Sequence, residues 1–204
     1  VGKYVYPIHR LDKPTSGVLL FALDENVAKL MNEAFSERNV VKTYYALTRG
    51  HLLEDALIDY ALKEKLDKIG DKYAKTDKPA QSAQTYYQSM GTATLPFAVG
   101  KYPSVRYSLV KLTPKTGRRH QIRRHLAHLR HPIIGDINYG DNKQNPFFHQ
   151  HFGFKRLMLF AQSLEFTHPI TQQKIMIKAQ FDNEWLKVLD ACELLPAIQN
   201  ENIS

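Results

Sequence analysis

The sequence has a single cysteine, Cys192, among its 204 residues, and it has no long hydrophobic run. One cysteine excludes an internal disulfide framework and a zinc ribbon built from several cysteines. The longest apolar segment, residues 17–23, is far shorter than the roughly 20 residues of a membrane-spanning helix. The first residues show no signal-peptide pattern. These absences predict a soluble, cytoplasmic protein of a reducing compartment, with no membrane partner.

Acidic residues are missing from one long stretch, residues 78–135, which we call the acid-free segment. The segment carries ten basic residues: Lys78, Lys101, Arg106, Lys111, Lys115, Arg118, Arg119, Arg123, Arg124 and Arg130. The net charge of +8 therefore originates here. Such a concentration of positive charge is typical of a protein that binds a polyanion, and nucleic acid is the favoured partner. The alternative is a solvated basic face with no partner.

The hydrophobic pattern predicts an α+β fold with a mixed, largely antiparallel sheet and flanking helices. We expect strands over residues 17–23, 42–49, 105–112, 156–166 and 175–181. We expect helices over residues 24–38, 118–131 and 183–195, the last burying Trp185, Leu189 and Cys192. Residues 60–104 mix a lysine-rich stretch with Pro and Gly, which indicates long surface excursions. One domain over residues 1–204 follows.

The first candidate for chemistry is Asp12, which stands between two cations, Arg10 and Lys13, just before the predicted strand that begins at Gly17. A neighbouring arginine favours the ionised carboxylate. Functional residues often lie on loops at the ends of rigid strands. The structural alternative, equally open at this point, is that Asp12 caps the turn at Thr15 and Ser16.

A second candidate lies where a Pro- and Gly-containing turn leads into the helix predicted from residue 118. The exposed N–H groups of a helix N-terminus bind phosphate, and Lys115, Arg118 and Arg119 surround this one. Arg123 lies beside the apolar positions of the helix, so we expect it to point inward. An inward arginine needs a carboxylate, and Asp12 is the expected partner. The alternative is an ordinary basic helix with every arginine in water.

Other residues are weaker candidates. Tyr44, on the strand predicted at residues 42–49, is either a half-buried strand aromatic or a surface on which a base stacks. Four histidines in the helical region suggest a metal site, but an HExxH pattern and nearby carboxylates are lacking, so we expect no metal. These residues are His120, His125, His128 and His131. Ser16 beside His9 and Asp12 has no GxSxG elbow, which disfavours a hydrolase triad.

Four motifs, in order along the chain, resemble those of the RluA-type pseudouridine synthases. HRLDKPTSGVLL resembles the catalytic-aspartate motif of that family, KTYYALTRG its tyrosine motif and GRRHQIRRHLAHLRHPIIGD its arginine motif. RLMLFAQSLEFTHPIT is similar to the closing strand and turn. The family has a further strand pair before the HRLD motif. Because that pair is missing and Val1 is not an initiator methionine, we expect the chain to be a fragment.

The resemblance implies a pseudouridine-synthase fold with a central basic cleft and roles for individual residues. Asp12 would break the glycosidic bond of a uridine, by attack on the sugar or by proton removal leading to a glycal. Arg123 would keep Asp12 charged and aimed, Tyr44 would stack on the uracil and assist proton loss at C5, and Arg10 would fill the space left by the flipped nucleotide. The remaining expected substrate contacts are Thr15, Gly17, Lys115, Gly117, Arg118, Arg119, His120, Gln121, Ile122 and Leu126.

The resemblance also implies an RNA partner and no cofactor. The wording of the arginine motif and of LDKIGDKYAKTDK is closest to a subgroup acting on tRNA, with the target uridine in the acceptor and T-stem region. Ribosomal RNA is the competing substrate. A non-catalytic RNA-binding module is the alternative of another class, although it has no use for an acid in a basic cleft. A monomer is the favoured state.

Overall fold

Helices and strands of the computed structural model, which describes residues 4–64 and 79–199, alternate without a regular βαβ rhythm. The strands are β1 (Tyr6–Pro7), β2 (Ser16–Gly17), β3 (Phe21–Ala22), β4 (Val41–Arg49), β5 (Ala56–Asp59), β6 (Gln84–Leu95), β7 (Val105–Pro114), β8 (Leu159–Thr167) and β9 (Lys174–Lys178). The helices are α1 (Glu25–Ser36), α2 (Gln121–His128), α3 (Gln144–Phe152), α4 (Asn183–Ala191) and α5 (Pro196–Gln199). Among the described residues, no helix is long and apolar enough to cross a membrane.

Seven strands form one sheet in the order β2-β8-β4-β7-β6-β5, with β9 also pairing with β8. The β2–β8 pair is parallel and the other pairs are antiparallel. The short strands β1 and β3 form a separate antiparallel ribbon. The predicted α+β fold with a mixed, largely antiparallel sheet is therefore confirmed.

Within the described residues, the hydrophobic core has two parts, and β8 contributes side chains to both. The larger part joins the centre of the sheet to α2, α3 and α4, and its buried side chains include Tyr107, Leu126 and Trp185. The smaller part lies under α1 and includes Met31 and Val18. Burial of Trp185, Leu189 and Cys192 matches the stripe predicted for the last helix.

The first predicted helix forms as α1. Asp24 caps it by accepting a hydrogen bond from the Val27 N–H at 3.0 Å. The strand expected at residues 17–23, in contrast, is two short strands separated by three residues. Gly17 has a positive φ of 117°, and the chain then leaves β8 to pair with β1. Leu19, Phe21 and Leu23 are exposed as a result, so the expectation of one buried strand was wrong.

Several elements differ from the sequence prediction. The surface excursion expected over residues 60–104 contains β6, a 12-residue strand that pairs with β5 and β7. Gly91 and the bulge between Ser89 and Gly91 interrupt the alternation that would have revealed it. The lysine-rich residues 65–78 lie outside the described residues. The helix expected from residue 118 begins only at Gln121, after His120 in the left-handed conformation, and α3 was not predicted.

Candidate active site

The loop that carries Asp12 is fixed at both ends. On one side, the His9 Nε2 accepts a hydrogen bond from the Leu20 N–H at 3.1 Å, and the His9 ring stacks on Phe35. On the other side, Gly17 lies against Ala161 of β8 so closely that an added Cβ would stand 2.0 Å from the Ala161 carbonyl oxygen. Only glycine fits this position. The loop therefore presents Asp12 from a rigid base.

The turn at Asp12 is closed by its backbone rather than by its side chain. The Thr15 N–H donates to the Asp12 carbonyl oxygen at 2.8 Å. The Asp12 carboxylate instead contacts Arg123, whose Nη1 lies 3.4 Å from Oδ2, and His120, whose Nε2 lies 3.9 Å from Oδ1. The carboxylate is only about a quarter exposed. This geometry favours the functional interpretation of Asp12 over the turn-capping alternative.

Arg123 is buried in the first turn of α2, with 1% of its surface exposed, which confirms the predicted inward orientation. Its main partner is Asp136, a residue that the sequence analysis missed. The Nε and Nη2 groups donate to the two Asp136 carboxylate oxygens at 2.7 and 2.8 Å, which leaves Nη1 for Asp12. Asp136 is the first acidic residue after the acid-free segment, and that position is the signal that could have identified it.

The charge state of Asp136 follows from these contacts. Burial alone would raise its pKa, but the hydrogen bond from Arg123 and those from the N–H groups of Asn138 and Tyr139 outweigh burial, so the pKa is lowered. The carboxylate is therefore ionised at neutral pH. Burial works against the charged form of Arg123 as well, but the hydrogen bonds and charges of Asp136 and Asp12 raise its pKa. The guanidinium is a fixed positive charge between two carboxylates.

His120 is the third polar group at this point. Its Nδ1 lies 3.0 Å from the hydroxyl of Tyr139, and the Tyr139 ring lies 5.2 Å from the Arg123 guanidinium carbon, within cation–π range. Burial lowers the pKa of His120, and the attraction of Asp12 only partly opposes this shift. The imidazole is therefore neutral at physiological pH. The positive charge that faces Asp12 comes from Arg123 rather than from His120.

Tyr44 lies close to the loop that carries Asp12, because the register of three adjacent strands aligns Tyr44 with Gly17 at the end of that loop. In the register, Gly17 of β2 pairs with Ala161 of β8, and Ala161 pairs with Tyr44 of β4 at a bulge. Burial, together with the charge of Asp12, raises the pKa of Tyr44 to about 12. Tyr44 is therefore a neutral phenol at physiological pH. That state is suited to stacking and to hydrogen-bond donation, and it disfavours a phenolate acting as a base in the free protein.

The other residues expected at the cleft occupy several environments. Arg10, Lys115 and Gly117 are exposed, and Arg118 and Arg119 are half-buried. The Arg118 Nε donates to the Ser82 carbonyl oxygen at 3.2 Å, and its N–H donates to the Gln121 Oε1 at 3.0 Å. The second bond occupies one of the N–H groups that the sequence analysis had assigned to phosphate. Thr15 is half-buried, and its hydroxyl has no hydrogen-bond partner within residues 4–64 and 79–199.

Three of the expected substrate contacts, Gln121, Ile122 and Leu126, are buried in the structure. The Gln121 Oε1 accepts from Thr116 as well as from the Arg118 N–H, and its Nε2 donates to the Gln84 carbonyl oxygen and to the Thr85 hydroxyl. The amide has no capacity left for a ligand. Ile122 and Leu126 pack in the larger core.

The histidines of the α2 region have separate positions. His125 is fully buried, with Nδ1 on the Thr85 hydroxyl and Nε2 on the Tyr60 carbonyl oxygen, both at 3.0 Å. His131 Nδ1 contacts the Arg49 carbonyl oxygen at 2.9 Å. Within the part of the chain that the structure describes, no group of three or more His, Cys, Asp or Glu side chains is arranged to hold a metal ion.

Comparison with known proteins gives concordant matches. The family model described as RNA pseudouridylate synthase matches residues 1–128. The chain is 54% identical over 190 residues to tRNA pseudouridine synthase C of Pasteurella multocida, covering 93% of this chain and 78% of that protein. It is 51% identical over 189 residues to the protein of the same name from Vibrio cholerae, with the same coverage. The solved structure of human RNA Pseudouridylate Synthase Domain Containing 1 superposes with a TM-score of 0.70 at 27% identity, covering 93% of this chain and 73% of that one.

Proposed function

The chain belongs to the RNA pseudouridylate synthase family, and we propose that it converts a uridine of tRNA to pseudouridine, with Asp12 as the residue that breaks the glycosidic bond. The observation that carries the proposal is the arrangement of charges around Asp12. A partly exposed carboxylate faces solvent from a basic surface, and Arg123, fixed from behind by Asp136, contacts it. A protein that only bound RNA would have no use for a carboxylate at this position, because it repels phosphate.

The reaction is an isomerisation that needs no external group. The bond between N1 of uracil and C1′ of the ribose breaks, C5 forms a bond to C1′, C5 loses its proton and N1 gains one. Asp12 starts the reaction either by attacking C1′ or by removing a ribose proton to give a glycal. Both routes use the carboxylate oxygens of Asp12, and Arg123, whose Nη1 lies 3.4 Å from Oδ2, orients them. No cofactor takes part in either route.

Tyr44 and Arg10 act on the base and on the RNA. The phenol ring of Tyr44, beside Asp12, stacks on the uracil and holds it for the rotation that presents C5 to C1′. Chemistry on a base requires the nucleotide to leave the helical stack. The exposed guanidinium of Arg10, two residues before Asp12, occupies the vacated space. Lys115, Arg118 and Arg119 contact phosphates, which offsets part of the cost of unstacking.

The substrate assignment rests on the relatives. Proteins named tRNA pseudouridine synthase C share about half of their residues with this chain over more than nine-tenths of its length. We therefore propose a uridine in the acceptor and T-stem region of tRNA as the target, the cytoplasm as the location and a monomeric, single catalytic domain as the active unit. Ribosomal RNA is the alternative substrate, since the catalytic motifs are common to the family.

The experiment that tests the proposal is incubation of the protein with unmodified tRNA and ribosomal RNA transcripts, followed by mapping of pseudouridine at single-nucleotide resolution. We expect one modified uridine in tRNA and none in ribosomal RNA. Modification of ribosomal RNA alone would overturn the substrate assignment. The absence of pseudouridine in both, from a folded protein that binds RNA, would favour the non-catalytic binding module.

A further inference from the structure

A basic depression with a volume of about 230 Å³ lies at the opposite end of α2 from Asp12. We call it the far pocket. Its walls include Arg49, His51, Tyr102, Arg106, Arg130 and His131. Arg106 and Arg130 belong to the acid-free segment, and the catalytic cleft uses neither of them. Two of the ten basic residues of the acid-free segment are therefore placed away from the reacting atoms.

Arg130 has a backbone conformation that is costly for an arginine. It follows the last turn of α2 with a φ of 64°, in the left-handed region. Its N–H donates to the Ala127 carbonyl oxygen, and the His131 N–H donates to the Leu126 carbonyl oxygen. This is a Schellman motif, in which glycine is the usual residue at the left-handed position. A long cationic side chain at a position that favours glycine indicates that the side chain has a functional role.

Hydrogen bonds connect the walls of the far pocket. The Arg49 guanidinium bonds to the Asp141 carboxylate, which in turn accepts hydrogen bonds from the N–H groups of Lys143 and Gln144 at 2.8 Å. The Gly50 N–H donates to the Arg106 carbonyl oxygen at 2.7 Å, which ties the end of β4 to the start of β7. Asp141 neutralises Arg49. Arg106 and Arg130 are exposed and, within residues 4–64 and 79–199, neither has a carboxylate partner.

We propose that the far pocket binds a backbone phosphate of the RNA substrate at a distance from the target uridine, with Arg106 and Arg130 as the contacting cations. The proposal rests on the proposed function, because it assigns a second contact surface to the same substrate. Arg123, at the start of α2, reaches Asp12, and Arg130 follows its end, so the two positions are separated by about 10 Å along the helix. A transcript that lies along α2 reaches both positions, whereas a trinucleotide centred on the target uridine ends before the far pocket.

The left-handed backbone of Arg130 allows a substitution that removes the charge without disturbing the fold. Arg130→Gly removes the guanidinium and places the preferred residue at the left-handed position. The relief of strain offsets the added freedom of the unfolded chain, so we expect the thermal midpoint to stay close to that of the wild type. Arg106→Gln is the second variant. Lys187→Gln, which removes one exposed charge on α4, is the matched control.

Binding of a full tRNA transcript and of a short RNA, the trinucleotide centred on the target uridine, is measured over a series of salt concentrations. For the transcript, Arg130→Gly and Arg106→Gln each weaken binding several-fold and lower the salt slope by about one, as expected for one lost phosphate contact. The short RNA binds both variants as it binds the wild type, because it does not reach the far pocket. The loss falls on KM rather than on kcat, and Lys187→Gln behaves as the wild type does.

Unchanged transcript affinity and an unchanged salt slope in the two arginine variants would overturn the proposal. This holds even if a direct titration shows that the far pocket binds inorganic phosphate. Equal weakening of the short RNA would also overturn it, because the arginines would then act at the cleft or on the whole fold. These outcomes are measured as binding. A failure to form pseudouridine in any transcript would therefore refute the proposed reaction separately.

Discussion

Arg123 divides its guanidinium between two carboxylates: Nε and Nη2 donate to Asp136 at 2.7 and 2.8 Å, while Nη1 lies 3.4 Å from Asp12. The pair with Asp136 is buried, and the contact with Asp12 is at the edge of solvent. Asp136 therefore fixes the plane of the guanidinium, and Asp12 contacts Nη1, the one guanidinium nitrogen that Asp136 does not use. Asp136 is a positioning residue, since it acts on the reaction only through Arg123.

Replacing Asp136 by Asn leaves Arg123 as a buried charge without its main partner. We expect the free energy of unfolding to fall by about 3–5 kcal/mol, as for other buried pairs broken on one side. The double variant Arg123→Met with Asp136→Asn removes the stranded charge and recovers part of this loss. Urea unfolding measures both changes. A single variant as stable as the wild type would show that Asp136 is not the partner that compensates Arg123.

Activity separates positioning from stability in the same variants. Both the single and the double variant are expected to form pseudouridine much more slowly than the wild type, including under conditions where the double variant is fully folded. A folded double variant with wild-type activity would show that neither residue of the pair orients Asp12.

A substitution at Gly17 tests how closely β2 approaches β8 at the base of the Asp12 loop. An alanine Cβ at this position would lie 2.0 Å from the Ala161 carbonyl oxygen, with φ at 117°. Gly17→Ala is expected to destabilise the protein by about 3 kcal/mol or more. Gly153→Ala is the matched control, because Gly153 also has a positive φ but no atom within 4 Å of an added Cβ. It is expected to cost about 1 kcal/mol. Equal losses of stability in the two variants would contradict the close approach of β2 and β8.

The ring of Tyr44, rather than its hydroxyl, is expected to supply affinity for the flipped base. In an Asp12→Asn background, where product does not accumulate, Tyr44→Phe retains binding of tRNA and Tyr44→Ala weakens it by about 1–3 kcal/mol, the usual contribution of one stacked base. Filter binding or fluorescence anisotropy measures the difference. If both variants lose affinity equally, the hydroxyl and not the ring makes the contact.

We expect the buried His125 to make the protein less stable at acidic pH. Burial lowers its pKa, so the unfolded chain takes up a proton more readily than the folded protein does. The stabilising contribution is complete above the unfolded pKa of about 6.5 and is lost as the pH falls through the lower folded pKa. The urea concentration at the unfolding midpoint should therefore decrease as the pH is lowered from about 7 to about 5. His125→Gln should flatten this slope without abolishing it, because burial also lowers the pKa of His9 and His120. An unchanged slope would show that His125 takes up its proton without cost.

The sequence alone predicted the residues whose role can be inferred from their near neighbours in the chain. Asp12 within HRLD, Arg123 beside the apolar face of α2 and the cap of α1 at Asp24 all depend on neighbours within a few residues. The contact between Asp12 and Arg123, 111 positions apart, followed from the rule that a buried charge needs a partner. The same rule found only the weaker partner, because it cannot rank two carboxylates whose separation depends on the tertiary fold.

The features that the sequence did not predict depend on long-range packing. Gln121 looked like a polar residue available to a ligand, but strand β6 and the turn before α2 use all of its hydrogen-bonding capacity. The strand β6 was missed because its bulge shifts the alternating pattern halfway along. Left-handed His120 shortens α2 and moves its start away from Arg118. The bonds of Gln121 and the bulge of β6 involve partners distant in sequence, which local propensity does not report.

The measurement that tests the account most directly is pseudouridine formation by Asp12→Asn, with thermal unfolding and tRNA binding recorded on the same preparation. The substitution keeps the size of the side chain and removes its charge and its nucleophilicity. Loss of the charged partner of Arg123 Nη1 makes the unfolding control necessary. We predict a folded protein that binds tRNA as tightly as the wild type or more tightly, because a negative charge near phosphates is gone, and whose activity is lower by many orders of magnitude. A folded Asp12→Asn protein that converts uridine at close to the wild-type rate would contradict the central role of Asp12.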